Sequence, residues 1–315
     1  MRLMELHLDS SALNKVVREG RLQVLIRAAS DLGARLYVAS PVIDELLAGD
    51  DDAHVRRVAK ALLQLLDSGC FRISPGLEEV LKRELQEPVV ETPMATKAFR
   101  RNYRNGLKEL LGSASPASLL VEIRQRMMET KRHWGPEDAK IAAAVTERLE
   151  AHGIRARDIG AELADLSPAT LPTWMLELVL HQLLARTDLP AAQITEQPGR
   201  YPFLLAWAAL LFTWVAALGV PADQRTQHAV LAGMKPHRND FLDAQIAAEA
   251  ARADIFIAED KGLIARCEVL RAGACIQFRS MSLEGFLGRR VRATSAEPPP
   301  SEVPRSGPRV ARSSA

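Results

Sequence analysis

The sequence has few cysteines and almost no net charge, and each shortage excludes a class of protein. Its three cysteines, Cys70, Cys267 and Cys275, are odd in number, spread along the chain and form no CxxC pair, which argues against a disulfide framework and a zinc site. The 41 basic and 39 acidic residues leave a formal net charge of +2, so the chain as a whole is not drawn to nucleic acid by its charge. Any basic surface must be local.

Strand and helix patterns alternate in two separate parts of the chain. Residues 3–8 (LMELHL) and 34–40 (ARLYVAS) have the pattern of short strands, and each is followed by helical patterns. The alternation resumes near residue 240, with candidate strands at residues 254–258 and 274–280. Strands that alternate with helices are typical of a parallel α/β sheet.

The long segment between these two parts has almost no strand pattern. Its apolar residues recur at helical spacing, which predicts an all-helical insertion. The last residues are rich in proline and poor in apolar side chains, which predicts a disordered tail. The expected segments are an N-terminal part of the α/β domain at 1–87, the insertion at 88–225, the C-terminal part at 226–288 and the tail at 289–315.

One uncharged stretch, residues 201–220, is long enough to span a bilayer. A single crossing would place the two parts of the α/β pattern on opposite sides of a membrane, so we expect a buried central helix instead. The first residues, MRLMELHLDSSAL, place acids before any long apolar run, unlike a secretory signal peptide. With the cysteine usage, this predicts a cytoplasmic protein.

Acidic residues lie where the predicted strands end. Asp9 follows the first strand, Glu45 lies on the helix after the second, Asp243 begins a helix, and Asp260 follows the strand DIFIA. Ligands of parallel α/β sheets bind beyond the carboxyl ends of the strands, so we expect these four side chains at one edge. Clustered carboxylates repel each other unless cations neutralise them, and Mg²⁺ and Mn²⁺ prefer oxygen ligands. The pattern predicts a divalent metal site.

Each acid also has an ordinary structural interpretation, and these alternatives stay open at this point. Asp9 and Asp243 are suited to capping helices, and Asp260 is suited to a turn. Asp44 competes with Glu45, its neighbour on the same helix. Supporting roles as a further ligand, a water-holding group or a helix cap are open to Ser10, Ser11, Asn239 and Asp240.

The best local feature for contact with nucleic acid is KAFRRNYRNGLK, residues 97–108, which contains no acid. Its basic side chains would neutralise phosphates. Phe99 and Tyr103 either stack on unpaired bases or point inward from a solvated helix face. A second basic stretch, GMKPHRND, precedes Asp243. The candidate substrate-binding residues of both stretches are Lys97, Arg100, Arg101, Arg104, Lys235 and Arg238.

The pieces LHLDSSAL, SPVIDELL, FLDAQIAAEA and ADIFIAEDKGL resemble the PIN domain nuclease family. The resemblance covers the two α/β parts and omits the insertion and the tail. It implies a Rossmann-like α/β/α sandwich with a central parallel sheet, and a homodimer. It also implies a metal-dependent ribonuclease whose products carry a 5′-phosphate and a 3′-hydroxyl. The ligands of Mg²⁺ or Mn²⁺ that it implies are Asp9, Glu45, Asp243 and Asp260.

We therefore expect a metal-dependent endoribonuclease that acts on single-stranded RNA. A first alternative is a PIN-like scaffold that has little catalytic activity and whose insertion recognises RNA or a docking or inhibitory protein. A second is a DNA nuclease on the same fold, because the phosphate chemistry is shared. No membrane association is expected.

Overall fold

One sheet of five parallel strands organises the fold. The computed structural model describes residues 3–87, 91–112, 118–134, 146–147, 149–154, 163, 165–183, 190–220, 223, 231 and 240–288. The strands are β1 (Glu5–Leu8), β2 (Arg35–Ala39), β3 (Phe71–Ser74), β4 (Ile255–Ile257) and β5 (Arg279–Met281).

The strand order is β3-β2-β1-β4-β5, and every neighbouring pair is parallel. Central β1 pairs on one side with β2, where His7 lies beside Tyr37, and on the other with β4, where His7 lies beside Phe256. The sheet is therefore completed by strands from both parts of the chain, and the predicted parallel α/β sheet is confirmed. All five strands end at the same edge, where Asp9 follows β1.

Two details of the sheet differ from expectation. Strand β3 was not predicted, because its four residues FRIS carry Arg72 between buried neighbours and show no long apolar run. Strand β5 begins at Arg279, near the end of the predicted run at 274–280. The apolar residues that produced this prediction are buried in the turn before the strand, at Cys275, Ile276 and Phe278.

Helices connect the strands and cover the sheet. Before the insertion they are α1 (Ser10–Arg18), α2 (Leu22–Asp31), α3 (Ser40–Leu47), α4 (Asp52–Asp67) and α5 (Leu77–Gln86). Between β3 and β4 the described residues also include α6 (Lys97–Gly112), α7 (Ser118–Trp134), α8 (Thr173–Glu177) with a π-helical turn at Leu178–Leu183, α9 (Ala191–Glu196) and α10 (Pro202–Gly219). The helices α11 (Asp240–Glu249) and α12 (Lys261–Ala272) flank β4.

The described part of the predicted insertion contains helices and no strand. Its core is continuous with that of the sheet, because buried apolar residues of both belong to one cluster. The predicted disordered tail, residues 289–315, lies outside the described residues.

Helix α10 is the long apolar stretch of the sequence, and its side chains are buried from Pro202 to Leu218. Among the described residues it is the one helix with the length and composition to cross a bilayer, and all of it lies inside the protein. It packs on α11, where the Phe241 ring meets Trp207 and Trp214 with centroids 5.4 and 5.3 Å apart. This arrangement agrees with the expected central helix.

Two buried glutamates make polar contacts across these helix interfaces. Glu84 on α5 accepts hydrogen bonds from the backbone N–H groups of Phe203 (2.9 Å) and Leu204 (2.8 Å), in the first turn of α10. Glu249 on α11 accepts a hydrogen bond from the Ser74 hydroxyl at the end of β3 (2.6 Å). Because such groups are costly to bury without partners, these bonds fix how α10 and α11 sit on the sheet.

Candidate functional site

Asp9 lies at the carboxyl end of β1 and is almost fully buried. Its backbone N–H donates to the Ile257 carbonyl at the end of β4 (2.9 Å). Its Oδ2 accepts from the Ser11 N–H (3.1 Å) and from the Ser11 hydroxyl, so Asp9 is the N-cap of α1. Its Oδ1 is buried and has no hydrogen-bond partner among the described residues. One carboxylate oxygen therefore caps the helix, and the other is left for a ligand.

The surroundings of Asp9 push its ionisation in two directions. Burial raises the pKa of Asp9, the hydrogen bonds from Ser11 and Ser10 lower it, and repulsion from Asp260 raises it. The Ser11 hydroxyl oxygen also accepts from the Glu259 N–H (2.9 Å). Ser10 and Ser11 thus serve the cap, and Ser11 additionally ties the end of β1 to the loop that carries Asp260.

Asp243 lies in the first turn of α11, three residues after Asp240, where the helix begins. Burial raises the pKa of Asp243 well above its ordinary value, and repulsion from Asp9, Glu45 and Asp240 raises it further. Attraction to Arg266 acts in the opposite direction. Asp243 is therefore within electrostatic reach of carboxylates that follow β1 and that lie on α3 and α11.

The structure separates Glu45 from its neighbour Asp44. Asp44 accepts a hydrogen bond from the Tyr103 hydroxyl on α6 and forms an ion pair with Arg126 on α7 (3.2 Å). Burial raises the pKa of Asp44, and the contacts with Tyr103 and Arg126 lower it. Glu45 instead acts electrostatically on Asp243. Asp44 therefore anchors the insertion, and Glu45 faces the acids.

The Tyr103–Asp44 contact provides a test of that anchoring. Replacing Tyr103 with phenylalanine leaves the half-buried Asp44 with one donor fewer, so we expect the free energy of unfolding to fall by about 1 to 2 kcal/mol. Urea denaturation would measure the loss. In an Asp44→Asn background the same substitution should cost less, because the two side chains interact directly. Equal costs in both backgrounds would contradict the anchoring role.

Asp260 lies beyond β4 and is exposed. Its Oδ1 accepts from the Leu263 N–H (2.7 Å), so it is the N-cap of α12. Asp9 therefore has the helix-capping role that the sequence left open for it. For Asp260 the sequence left open a role in a turn, and in the structure it caps a helix. In both cases only one oxygen of the carboxylate receives these bonds.

The four acids and Asp240 form an electrostatic group, which we call the acid cluster: Asp9, Glu45, Asp240, Asp243 and Asp260. Among the described residues, no three carboxylate, imidazole or thiol side chains are close enough together to hold a metal ion as they stand. The buried Oδ1 of Asp9, with no partner in the described part of the chain, is the feature that fits a cation.

Arg266 on α12 was missed by the sequence analysis. Its side chain is 2 % exposed, and Nη2 lies 3.5 Å from Oδ1 of Asp240. The sequence does contain a signal, because Arg266 is in helical register with Leu263, Cys267 and Leu270, the buried stripe of α12. A charged residue within an apolar stripe indicates a buried group that needs a partner.

The predicted substrate-binding residues divide between described and undescribed segments. Lys97, Arg100, Arg101 and Arg104 lie on α6, where Arg104 pairs with Asp67. Tyr103 is buried and packs against Phe99, with ring centroids 4.8 Å apart. This favours the inward interpretation of the aromatic side chains over base stacking. Outside the described residues lie Lys235, Arg238 and Asn239.

Comparison of the chain with protein-family models, with curated proteins and with solved structures finds no match.

Proposed function

We propose that this chain is a metal-dependent nuclease that hydrolyses phosphodiester bonds of single-stranded RNA. The observation that supports the proposal best is the convergence of Asp9, Glu45 and Asp243, from separate elements, at the carboxyl edge of a parallel sheet. A fold gains no stability from like charges placed together at a partly buried edge. Such an arrangement is expected where a site has been selected for chemistry.

The finer fold assignment is part of the same proposal. A β3-β2-β1-β4-β5 parallel sheet with helices around it is compatible with a Rossmann-like, PIN-type α/β/α sandwich. In this proposal the helices between β3 and β4 are an insertion into that sandwich. The support is the strand order together with the position of an acid directly after β1.

The proposed residue roles follow from burial and existing bonds. The ligands of Mg²⁺ or Mn²⁺ would be Asp9 through its unbonded Oδ1, Glu45 and Asp243, with Asp260 and Asp240 at the margin. When bound, such an ion supplies Lewis-acid stabilisation of the phosphate and activation of water. Ser11 keeps Asp9 in place by donating to Oδ2. The basic face of α6 would contact the phosphates of the strand.

A PIN-like binding scaffold is the second candidate. The specific observation in its favour is that no three potential ligands among the described residues are close enough to hold an ion as they stand. In that case the helices between β3 and β4 would recognise RNA or a protein, and the acids would have no catalytic role.

The test is cleavage of a labelled single-stranded RNA and of its DNA counterpart with Mg²⁺, Mn²⁺ or EDTA. We expect the protein to cut the RNA with either ion and to leave it intact in EDTA. Asp9→Asn, purified in parallel, is the control for contaminating nuclease, since asparagine caps a helix as well as aspartate does and only the charge is lost. Cleavage of DNA alone would favour the DNA nuclease. Binding of RNA without cleavage would favour the scaffold.

A further inference from the structure

Arg266 is a charged side chain in an apolar setting, and its neighbours do not account for its burial. Its side chain is 2 % exposed, and Nε and Nη1 have no hydrogen-bond partner within the described residues. Among the described residues its one contact to an acid joins Nη2 to Oδ1 of Asp240 at 3.5 Å, which is long for a charge-assisted bond. Burying a guanidinium is costly unless opposite charge lies near.

The opposite charge near Arg266 is the acid cluster. Asp240 is in direct contact, and Asp243, one helical turn further along α11, lies within electrostatic reach. The apolar residues around Arg266 on its own helix, Leu263, Cys267 and Leu270, are all buried. No other ion pair of Arg266 occurs in the described part of the chain, so its positive charge balances the negative charge of these two carboxylates.

We infer that Arg266 is a built-in counter-cation of the acid cluster, which competes with a divalent ion for the charge of Asp240 and Asp243. The inference rests on the proposed metal-dependent function. A fixed positive charge beside the cluster holds two carboxylates together in the metal-free protein. The same charge repels a cation that enters the site, so it limits how tightly an ion is held. Arg266 is a positioning residue in this view, because it acts through the carboxylates.

The two effects are linked by thermodynamics. If Arg266 makes the free energy of ion binding less favourable by a certain amount, a bound ion must reduce the stabilising free energy that Arg266 contributes by the same amount. Loss of the positive charge should therefore harm the metal-free protein more than the metal-loaded one. A residue that only fills space in the core would affect both states equally.

The experiment compares Arg266→Met with wild type in Mn²⁺ and in EDTA. Methionine fills similar volume without charge. We expect Arg266→Met to melt at a lower temperature than wild type in EDTA and to gain more melting temperature when Mn²⁺ is added. Its affinity for Mn²⁺, measured by calorimetry, should be higher by about tenfold, which is within the usual range of coupling between sites. Arg266→Lys keeps the charge and should resemble wild type in affinity. Arg271→Met is the matched control, because Arg271 lies on the same helix, is 41 % exposed and pairs with Glu268.

In this comparison of Mn²⁺ with EDTA, two results would overturn the inference. One is that Arg266→Met loses the same melting temperature in EDTA and in Mn²⁺ and binds Mn²⁺ with unchanged affinity. Arg266 would then contribute only to packing. The other is weaker Mn²⁺ binding by Arg266→Met, which would mean that charge competition is not what Arg266 contributes.

Failure of the proposed function has a separate signature. If wild type binds no Mn²⁺, the nuclease proposal fails, and a double-mutant cycle in EDTA then decides the role of Arg266. When Arg266 balances the cluster, Arg266→Met should cost less melting temperature in an Asp243→Asn background than in wild type. Equal costs in the two backgrounds would overturn the inference independently of metal.

Discussion

Replacing Asp243 with asparagine is expected to stabilise the metal-free protein and to abolish metal-dependent cleavage. Burial raises the pKa of Asp243, and repulsion from Asp9, Glu45 and Asp240 raises it further against the attraction of Arg266. Asparagine has the same shape without the charge. The variant therefore loses the repulsion and keeps its place in the first turn of α11.

The dependence on pH fixes the sign of the change in stability. The raised pKa of Asp243 means that the folded protein binds its proton more tightly than the unfolded chain, whose aspartate has a value near 3.8. Wild type therefore loses stability as the pH rises from that value through the raised pKa, and the asparagine variant lacks this loss. In EDTA at slightly alkaline pH, we expect the variant to have a free energy of unfolding higher by about 0.5 to 2 kcal/mol.

Divalent metal should reverse the order of stability. Mg²⁺ binds the folded wild type and so adds to its stability, whereas the variant has lost a ligand and gains less. Cleavage should fall by about 100-fold or more, since the lost electrostatic stabilisation is several kcal/mol and each 1.4 kcal/mol is about tenfold in rate. Urea denaturation in EDTA and in Mg²⁺, together with the RNA assay, measures both effects.

Asp44→Asn is the matched control for this prediction. Asp44 is also a half-buried carboxyl and is the neighbour of Glu45, but its bonds go to Tyr103 and Arg126. We expect its replacement to lower stability and to leave the cleavage rate within a few-fold of wild type. If Asp243→Asn proved less stable than wild type in EDTA, the repulsion would not dominate at this position. If Asp44→Asn removed cleavage as completely, the division of roles between Asp44 and Glu45 would be wrong.

The sheet and the positions of the acids could be read from the sequence because both depend on short-range patterns. Strand β1 lies in the stretch LMELHL, which is mostly apolar, and β2 and β4 lie in apolar runs. An acid that follows a strand of a parallel sheet comes to the carboxyl edge whatever the rest of the chain does. Strand β3 escaped the same reasoning, since Arg72 interrupts a run of only four residues. Its place at the edge of the sheet is decided by pairing with β2, which no local pattern shows.

Two buried charged groups could not be predicted in the same way. Arg266 was not singled out from the sequence, although its register with Leu263 and Leu270 places it on the buried side of α12. Glu84 likewise lies in register with Leu77 and Leu81 on the buried side of α5. Its partners, the N–H groups of Phe203 and Leu204, are 119 and 120 residues away and follow from no local pattern. Charge balance in the core depends on contacts between distant segments, and only the folded chain displays them.

Replacing Glu84 with alanine is expected to cause the largest loss of stability among the single substitutions considered. Glu84 is 1 % exposed and accepts from the N–H groups of Phe203 and Leu204, in the first turn of α10. The N-cap residue of α10, Tyr201, makes no side-chain capping bond, so Glu84 supplies the cap from another helix. Alanine would leave two buried donors without partners, at a cost of about 2 to 4 kcal/mol.

Glutamine at this position separates the hydrogen bonds from the charge. Burial raises the pKa of Glu84 to about 8, against the hydrogen bonds from Phe203 and Leu204 that lower it. Between the unfolded value near 4.5 and this folded value the native state holds the extra proton, so wild type loses stability as the pH rises through that window. Glu84→Gln keeps one oxygen acceptor and cannot ionise, so its cost relative to wild type should shrink from pH 6 to about pH 9.

Chemical unfolding followed by tryptophan fluorescence is suited to this test, because Trp207 and Trp214 lie on α10 and report on its docking. Glu79→Ala on the same helix is the control, since Glu79 is 49 % exposed and pairs only with Arg83 among the described residues. Its cost should stay below about 1 kcal/mol. A Glu84→Ala variant as stable as the control would mean that apolar packing alone holds α10 in place. A large loss with the expected dependence on pH would show that one buried carboxyl, distant in sequence, holds the central helix against the sheet that carries the acid cluster.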